Sequence, residues 1–212
     1  IYGDSSGDPA ALTVGSNGQA LVSDGTDISW GSAGASTMNA LTDVSQDITN
    51  FVDGLLIQPN SDGSAPTTGT LSTATGNVGI GKSTFAALTS GDYNTAIGYN
   101  AMPVNTTGGN NTAIATQAML VNTTGGDNVA TGYQALYSNT DGGNNVAIGS
   151  QSGYQVTGNQ NICIGHYSDA NSGGDNNICI GYYNVLPPGS NNCVIIGSEM
   201  PLASINSQLI IG

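Results

Sequence analysis

A five-residue pattern, Asn-x-small-Ile-Gly, returns at nearly constant intervals through the C-terminal two thirds of the chain. It reads NVGIG at Asn77, NTAIG at Asn94, NTAIA at Asn111, NVATG at Asn128 and NVAIG at Asn145. It continues as NICIG at Asn161 and Asn177, CVIIG at Cys193 and LIIG at Leu209. From Asn77 to Cys193 the spacing is 17 residues four times and then 16 three times. Such a period is too short for the common helical repeats, which need about 33 residues or more, and for a propeller blade of about 40. It fits one coil of a narrow parallel β-solenoid or β-roll. Each coil is expected to hold two strands of about five residues joined by two turns. Gly-Gly at 108–109, 125–126, 142–143 and 173–174 marks one turn column, where glycine is expected to supply a positive φ. No segment of the repeats carries a long apolar stripe of helical period, so an all-β fold is expected.

Aligning the coils gives the columns physical meaning. The position after the Asn holds Val78, Thr95, Thr112, Val129, Val146, Ile162, Ile178 and Val194. Two residues on stand Ile80, Ile97, Ile114, Thr131, Ile148, Ile164, Ile180 and Ile196. Alternate positions of a strand face one way, so these two columns share a face. Between them lie Gly79, Ala96, Ala113, Ala130, Ala147, Cys163, Cys179 and Ile195, mostly small, on the other face. The pattern does not say which face lies inside the coil. Stacked about 4.8 Å apart, the Asn side chains (Asn94, Asn111, Asn128 and Asn145 among them) suit a hydrogen-bonded ladder; they equally suit a turn that tolerates Asn.

Composition narrows the function. The chain has 32 Gly, one lysine (Lys82), no arginine, one histidine (His166) and 14 acids, for a net charge of −13. A nucleic-acid partner is not expected, because phosphates are neutralised by Lys and Arg. Binding to an anionic membrane surface is disfavoured likewise. No apolar run reaches the length of a membrane-spanning helix. A coil this thin buries little per residue, and small cores are marginal. Association of three chains would bury its exposed faces, so a homotrimer is expected.

Residues 1–52 lack the repeat and are expected to form an irregular or β shaft and linker, with 53–212 the solenoid, regular from about residue 77. Gln19–Ser23 and Thr26–Trp30 read as short strands around the Asp24-Gly25 turn signal. Leu41, Val44, Ile48, Phe51 and Leu55 follow coiled-coil spacing, but the Thr, Asp, Asn and Ser between them are poor helix formers. Leu55-Leu56-Ile57 reads as a degenerate first coil, with Pro59–Thr75 an insertion, and Trp30 as a packing anchor at a trimer axis.

The stretch TSGDYNTAIGYNAMPVNTTGGNNTAIATQAMLVNTTGGDNVATGYQALYSNTDGGNNVAIG (89–149) resembles the repeats in tail fibres of tailed phages, including those of cyanobacterial phages. ALTVGSNGQALVSDGTDISWG (11–31) also resembles segments that recur in phage fibres. The repeats are similar as well to the heads of trimeric autotransporter adhesins, left-handed parallel β-rolls that bind host surfaces, whose units are usually shorter. The resemblance implies a non-enzymatic structural and host-recognition segment of a trimeric viral tail fibre, located on the virion. Its partners would be itself, other tail proteins and a host glycan or surface protein. A bacterial adhesin head on the cell surface is the alternative. A polysaccharide-degrading tailspike ranks third, because it needs paired carboxylates in a groove and the chain has a single Glu, Glu199. Many such fibres carry a self-cleaving chaperone after the repeats; the sequence ends at Gly212 inside LIIG, and no protease activity is expected.

Other motifs are weighed against the repeat. GNVGIGKS at Gly76–Ser83 matches the P-loop pattern, yet the same frame recurs in every coil without Lys, so no nucleotide or other cofactor is expected. Cys163 and Cys179 suit gap filling, with a disulfide sterically conceivable. Asp127, Asp141 and Asp175 read as solvated turn acids rather than calcium ligands. Asn105-Thr-Thr and Asn122-Thr-Thr match the glycosylation sequon. Tyr99, Tyr133, Tyr137, Tyr182 and the lone His166 are the candidate surface-recognition residues, since aromatic faces suit sugars; tyrosine also seals trimer seams.

Overall fold

The computed structural model describes the strands between residues 2 and 52 at the level of the backbone, and residues 54–57, 73–199 and 209–211 with their side chains. The chain divides into two compact units, Ile1–Leu41 and Thr42–Gly212. In the first, β1 (Tyr2–Gly3) pairs antiparallel with β2 (Pro9–Ala10). There too β3 (Gln19–Ser23) pairs with β4 (Ile28–Ser32), Leu21 opposite Trp30. β4 starts two residues later than the sequence pattern suggested, because Ser23, the last residue of β3, pairs with Ile28. The reading of Trp30 as a packing anchor concerns a side chain outside the described residues.

The second unit begins before the repeat does. Strand β5 (Val44–Ser45) runs antiparallel to β7 (Leu55–Ile57), and β6 (Phe51–Val52) runs parallel to β8 (Ala74–Thr75). Val44, Phe51 and Leu55, which share a coiled-coil spacing, thus lie in strands. Of the segment read as an insertion, Pro59–Thr75, residues 59–72 lie outside the described residues and the last two form β8.

From β7 the chain winds into a parallel solenoid. Its strands are β9 (Val78–Ile80), β10 (Thr95–Ile97), β11 (Thr112–Ile114), β12 (Val129–Thr131) and β13 (Val146–Ile148). They continue as β14 (Ile162–Ile164), β15 (Ile178–Ile180), β16 (Val194–Ile196) and β17 (Leu209–Ile211). Each pairs in parallel with the next, so Ala96 lies on Ala113 and Ile97 on Ile114. Leu55-Leu56-Ile57 is indeed a first rung, with Leu56 against Gly79. The expectation of two five-residue strands per coil is corrected. Each regular coil holds one three-residue strand, and the remainder is turn.

Left-handed backbone explains the short strand. In the coil around Asn94, four residues have positive φ: Tyr93 (56°), Gly98 (139°), Asn100 (52°) and Met102 (48°), and the next coil repeats them at Asn110, Ala115, Gln117 and Met119. A left-handed residue interrupts a strand. The turns are nonetheless ordered coil upon coil. Tyr93 N–H donates to the Thr75 carbonyl, Asn110 N–H to Asp92, and Thr106 N–H to Thr123. Backbone donors outside the strands therefore find partners one coil away or, as Ala101 N–H does at the Gly98 carbonyl, within their own turn, as buried amides must.

The small column faces inward. Ala96, Ala113, Ala130, Ala147, Cys163 and Cys179 are buried, packed in one cluster with Met102, Met119, Leu136, Val156 and Leu186. The core is one side chain thick and complementary in volume. Where the facing residue is Phe85, the column holds Gly79, and a Cβ there would stand 2.9 Å from the Phe85 ring. The two β-branched columns face outward. Ile80, Ile114, Ile148 and Ile196 are between 37% and 43% exposed, and with the half-buried Ile97, Ile164 and Ile180 they form a largely apolar stripe along the solenoid, broken once by Thr131.

Candidate functional site

Two buried amide ladders line the interior and hold the coils in register. Asn94 N–H donates to Asn77 Oδ1, Asn111 to Asn94, Asn128 to Asn111 and Asn145 to Asn128, at 2.8–3.0 Å. The left-handed residue is the one before each Asn, not the Asn itself. A second ladder, Asn105–Asn122–Asn139, runs beside it. Both ladders converge on the same carbonyls: Asn94 and Asn105 Nδ2 donate to Gly108 O, and Asn111 and Asn122 to Gly125 O. The sequence missed this second ladder and read Asn105 and Asn122 as sequons. Both amides are buried and engaged, so the folded chain presents neither for glycosylation. The ladder ends where Val156 replaces Asn, which leaves Asn139 Oδ1 without a partner.

The Gly-Gly column serves this convergence. The pairs at 108–109, 125–126 and 142–143 do not have positive φ, contrary to expectation, whereas in the pair at 173–174 Gly173 does (φ 73°), as expected. A Cβ on Gly108 would strike the Gly125 carbonyl oxygen and stand 2.5 Å from Asn105 Oδ1. Glycine is required there by close approach, not by turn conformation.

The surface beyond the strand carries the candidate recognition residues. The first residue past the motif Gly is Lys82, Tyr99, Thr116, Tyr133, Ser150, His166, Tyr182 and Ser198 in successive coils. Tyr99, Tyr133 and Tyr182 are about half exposed and His166 is exposed. His166 stacks on Tyr182 at 5.6 Å, and Tyr167 on Tyr183 at 4.7 Å. Tyr137 stacks on Tyr154 at 4.8 Å. Burial, and then the phenols of Tyr137, Tyr167 and Tyr133, raise the Tyr154 hydroxyl above its ordinary range. In the next column, Gln134 Nε2 donates to Gln117 Oε1 and Gln151 Nε2 to Gln134 Oε1. The column alignment could have found this third amide ladder. Tyr93, 63% exposed at a left-handed position, was also missed. Ile97, Ile164 and Ile180 lie half-buried on the outer stripe with Ile114 and Ile148.

One buried carboxylate interrupts the apolar interior. Asp169 stands where earlier coils place Met102, Met119 and Leu136. Its oxygens accept from Gln155 N–H and Asn171 N–H, both at 2.9 Å. Burial pushes its pKa up to about 6. Cys163 and Cys179 are register partners and free thiols. A hydrogen bond to Cys179, and then burial, raise the Cys163 thiol well above its ordinary range.

The remaining motifs resolve simply. GNVGIGKS forms β9 and its turns; no helix follows Ser83, and Lys82 is exposed. Asp127 and Asp141 are exposed and Asp175 half-buried. Among the described residues no three His, Cys, Asp or Glu side chains gather as a metal site, and no helix is long and apolar enough to cross a membrane. The fold defines a class: a narrow parallel β-solenoid with one short strand per coil and polar ladders inside. Beyond the class, no protein-family model, curated protein or solved structure matches the chain.

Proposed function

We propose that this chain is a non-catalytic structural and host-recognition segment of a trimeric viral tail fibre. The observation that carries the proposal is the outward apolar stripe. Ile80, Ile114, Ile148 and Ile196 stand in one file, broken only by Thr131, on a molecule of net charge −13, and a large exposed apolar patch marks an interaction face. The stripe runs parallel to the coil axis, so identical copies pack along their length with rungs level. Three copies about one axis turn every stripe inward and leave the aromatic columns outside. Such a rod spaces and presents a receptor-binding surface, and it needs no catalytic group.

Two measurements test this reading. Sedimentation of the purified chain is expected to give three times its mass of 21.1 kDa, with Ile114→Asp/Ile148→Asp dissociating it; a monomeric wild-type chain refutes the trimer. Antibodies raised against the chain are expected to decorate the tails of virions from the phage that encodes it. Decoration of a bacterial surface in place of virions refutes the fibre assignment.

A further inference from the structure

We propose that the outward column from Tyr99 to His166 forms two slots that hold pyranose rings of a neutral glycan. The inference deepens the host-recognition reading and rests on it. The column alternates aromatic rings with small hydroxyl residues: Tyr99, Thr116, Tyr133, Ser150, His166. Neighbouring coils are about 4.8 Å apart. Tyr99 and Tyr133 therefore flank Thr116 at about 9.6 Å, and Tyr133 and His166 flank Ser150 at about the same separation. Where this column has two rings in succession, His166 and Tyr182, they stack at 5.6 Å and 22°, with their faces turned along the coil axis. In the proposed slots Tyr99 and Tyr133 take this orientation too, which turns ring faces toward each other across Thr116 and Ser150. These rings are about half exposed, and Thr116 is exposed.

The width selects the occupant. Carbon surfaces pack at about 3.5–4.0 Å, so a flat ring between two walls fills only about 7–8 Å. A puckered saturated ring, with axial hydrogens on both faces, fills the wider slot. Its C–H faces meet the aromatic walls, whose faces are the negative pole of the ring quadrupole. Its equatorial hydroxyls meet the Thr116 or Ser150 hydroxyl at the floor and the glutamine ladder alongside. Gln134 and Gln151 each spend one amide N–H on the ladder, which leaves the second for a ligand. The strand ends at Ile97, and the corner at Gly98 (φ 139°) separates this column from the apolar stripe. Phosphate-bearing ligands are repelled by the net charge of −13, so the sugar is neutral and a nucleic acid is not the occupant.

The test uses short neutral oligosaccharides of glucose, galactose, mannose, rhamnose and N-acetylglucosamine, read by saturation-transfer NMR and titration calorimetry. At least one is expected to bind, and Tyr133→Ala, which removes the wall shared by both slots, to weaken it by roughly tenfold or more. Ser150→Tyr and Thr116→Tyr fill the slots and are expected to abolish binding. Ser198→Tyr adds an aromatic outside the two slots and leaves binding unchanged. The column already carries tyrosine at three coils, and circular dichroism with sedimentation confirms that each variant folds. No binding by any sugar, equal or tighter binding by the double variant Ser150→Tyr/Thr116→Tyr, or binding of a single-stranded DNA oligonucleotide overturns the proposal. Adsorption of labelled chain to host cells separates the two readings. If the double variant loses sugar but still labels cells, the slots are not the receptor site while host attachment stands. If wild-type chain binds sugar in the slots yet labels no cells, host attachment fails and the slots stand.

Discussion

Replacing Asn128 by alanine removes one rung from the principal ladder, and its cost follows from the bonds it breaks. The Asn128 side chain is buried. Its Oδ1 accepts from Asn145 N–H at 2.9 Å, and its Nδ2 donates to Gly142 O at 2.9 Å. Alanine orphans the Asn145 donor and removes one of the two bonds to Gly142 O, the other coming from Asn139. The bond from Asn128 N–H to Asn111 Oδ1 uses the backbone and survives. A buried unsatisfied group costs about 1–3 kcal/mol and a lost neutral hydrogen bond about 0.5–1.5 kcal/mol, so the loss comes to about 1.5–4.5 kcal/mol before any cavity. A whole domain has only about 5–15 kcal/mol. The control is Asn144→Ala, one residue upstream of the next rung, exposed and left-handed with φ 58°. It loses only the asparagine's tolerance of that conformation, about 1 kcal/mol. Urea unfolding followed by far-UV circular dichroism, at one protein concentration, gives both values. Asn128→Ala is expected to lower the midpoint by clearly more than Asn144→Ala. Equal losses would mean that the ladder merely fills space and does not hold the coils in register.

Two further outcomes follow from single residues. Ala115 has φ 110° in a column otherwise held by Gly81, Gly98, Gly132, Gly149, Gly165, Gly181 and Gly197; Ala115→Gly relieves strain of about 1–3 kcal/mol against an entropic cost of about 0.5–1 kcal/mol. Its thermal midpoint is expected to rise, and an unchanged or lower one refutes the strain. Asp169 has a folded pKa raised to about 6 from an ordinary 3.8, so the folded state holds its proton more tightly than the unfolded chain. Its contribution is complete below the unfolded pKa and is lost as pH rises to the folded one, by about 3 kcal/mol in all. Between those two pKa values wild-type stability is expected to fall relative to Asp169→Val, which borrows the residue of its parallel bridge partner in the next coil, Val185; parallel pH profiles would refute it.

Much of the solenoid was legible in one dimension because its contacts are between residues one period apart. A parallel in-register stack places Ile97 on Ile114 and Gln117 on Gln134, so alignment of the repeats is already a contact map along the axis. The P-loop match dissolved for the same reason: GNVGIG is one rung among many.

What happens within a coil was not legible. The alternation of small and β-branched residues separates two faces and is silent about which one is enclosed. That was decided by space, since Ala96 and its column lie against Met102 and Met119, and a wider column would not fit. The single short strand, the burial of Asn105 and Asn122, and the glycines kept for close approach all depend on four left-handed residues per coil. Residues as different as Tyr93, Asn110 and Gln160 occupy one of those positions, so no local propensity announces it. Periodicity along the axis was written in the sequence, whereas the path of the chain around the axis was settled only by packing a one-layer core and satisfying its buried amides.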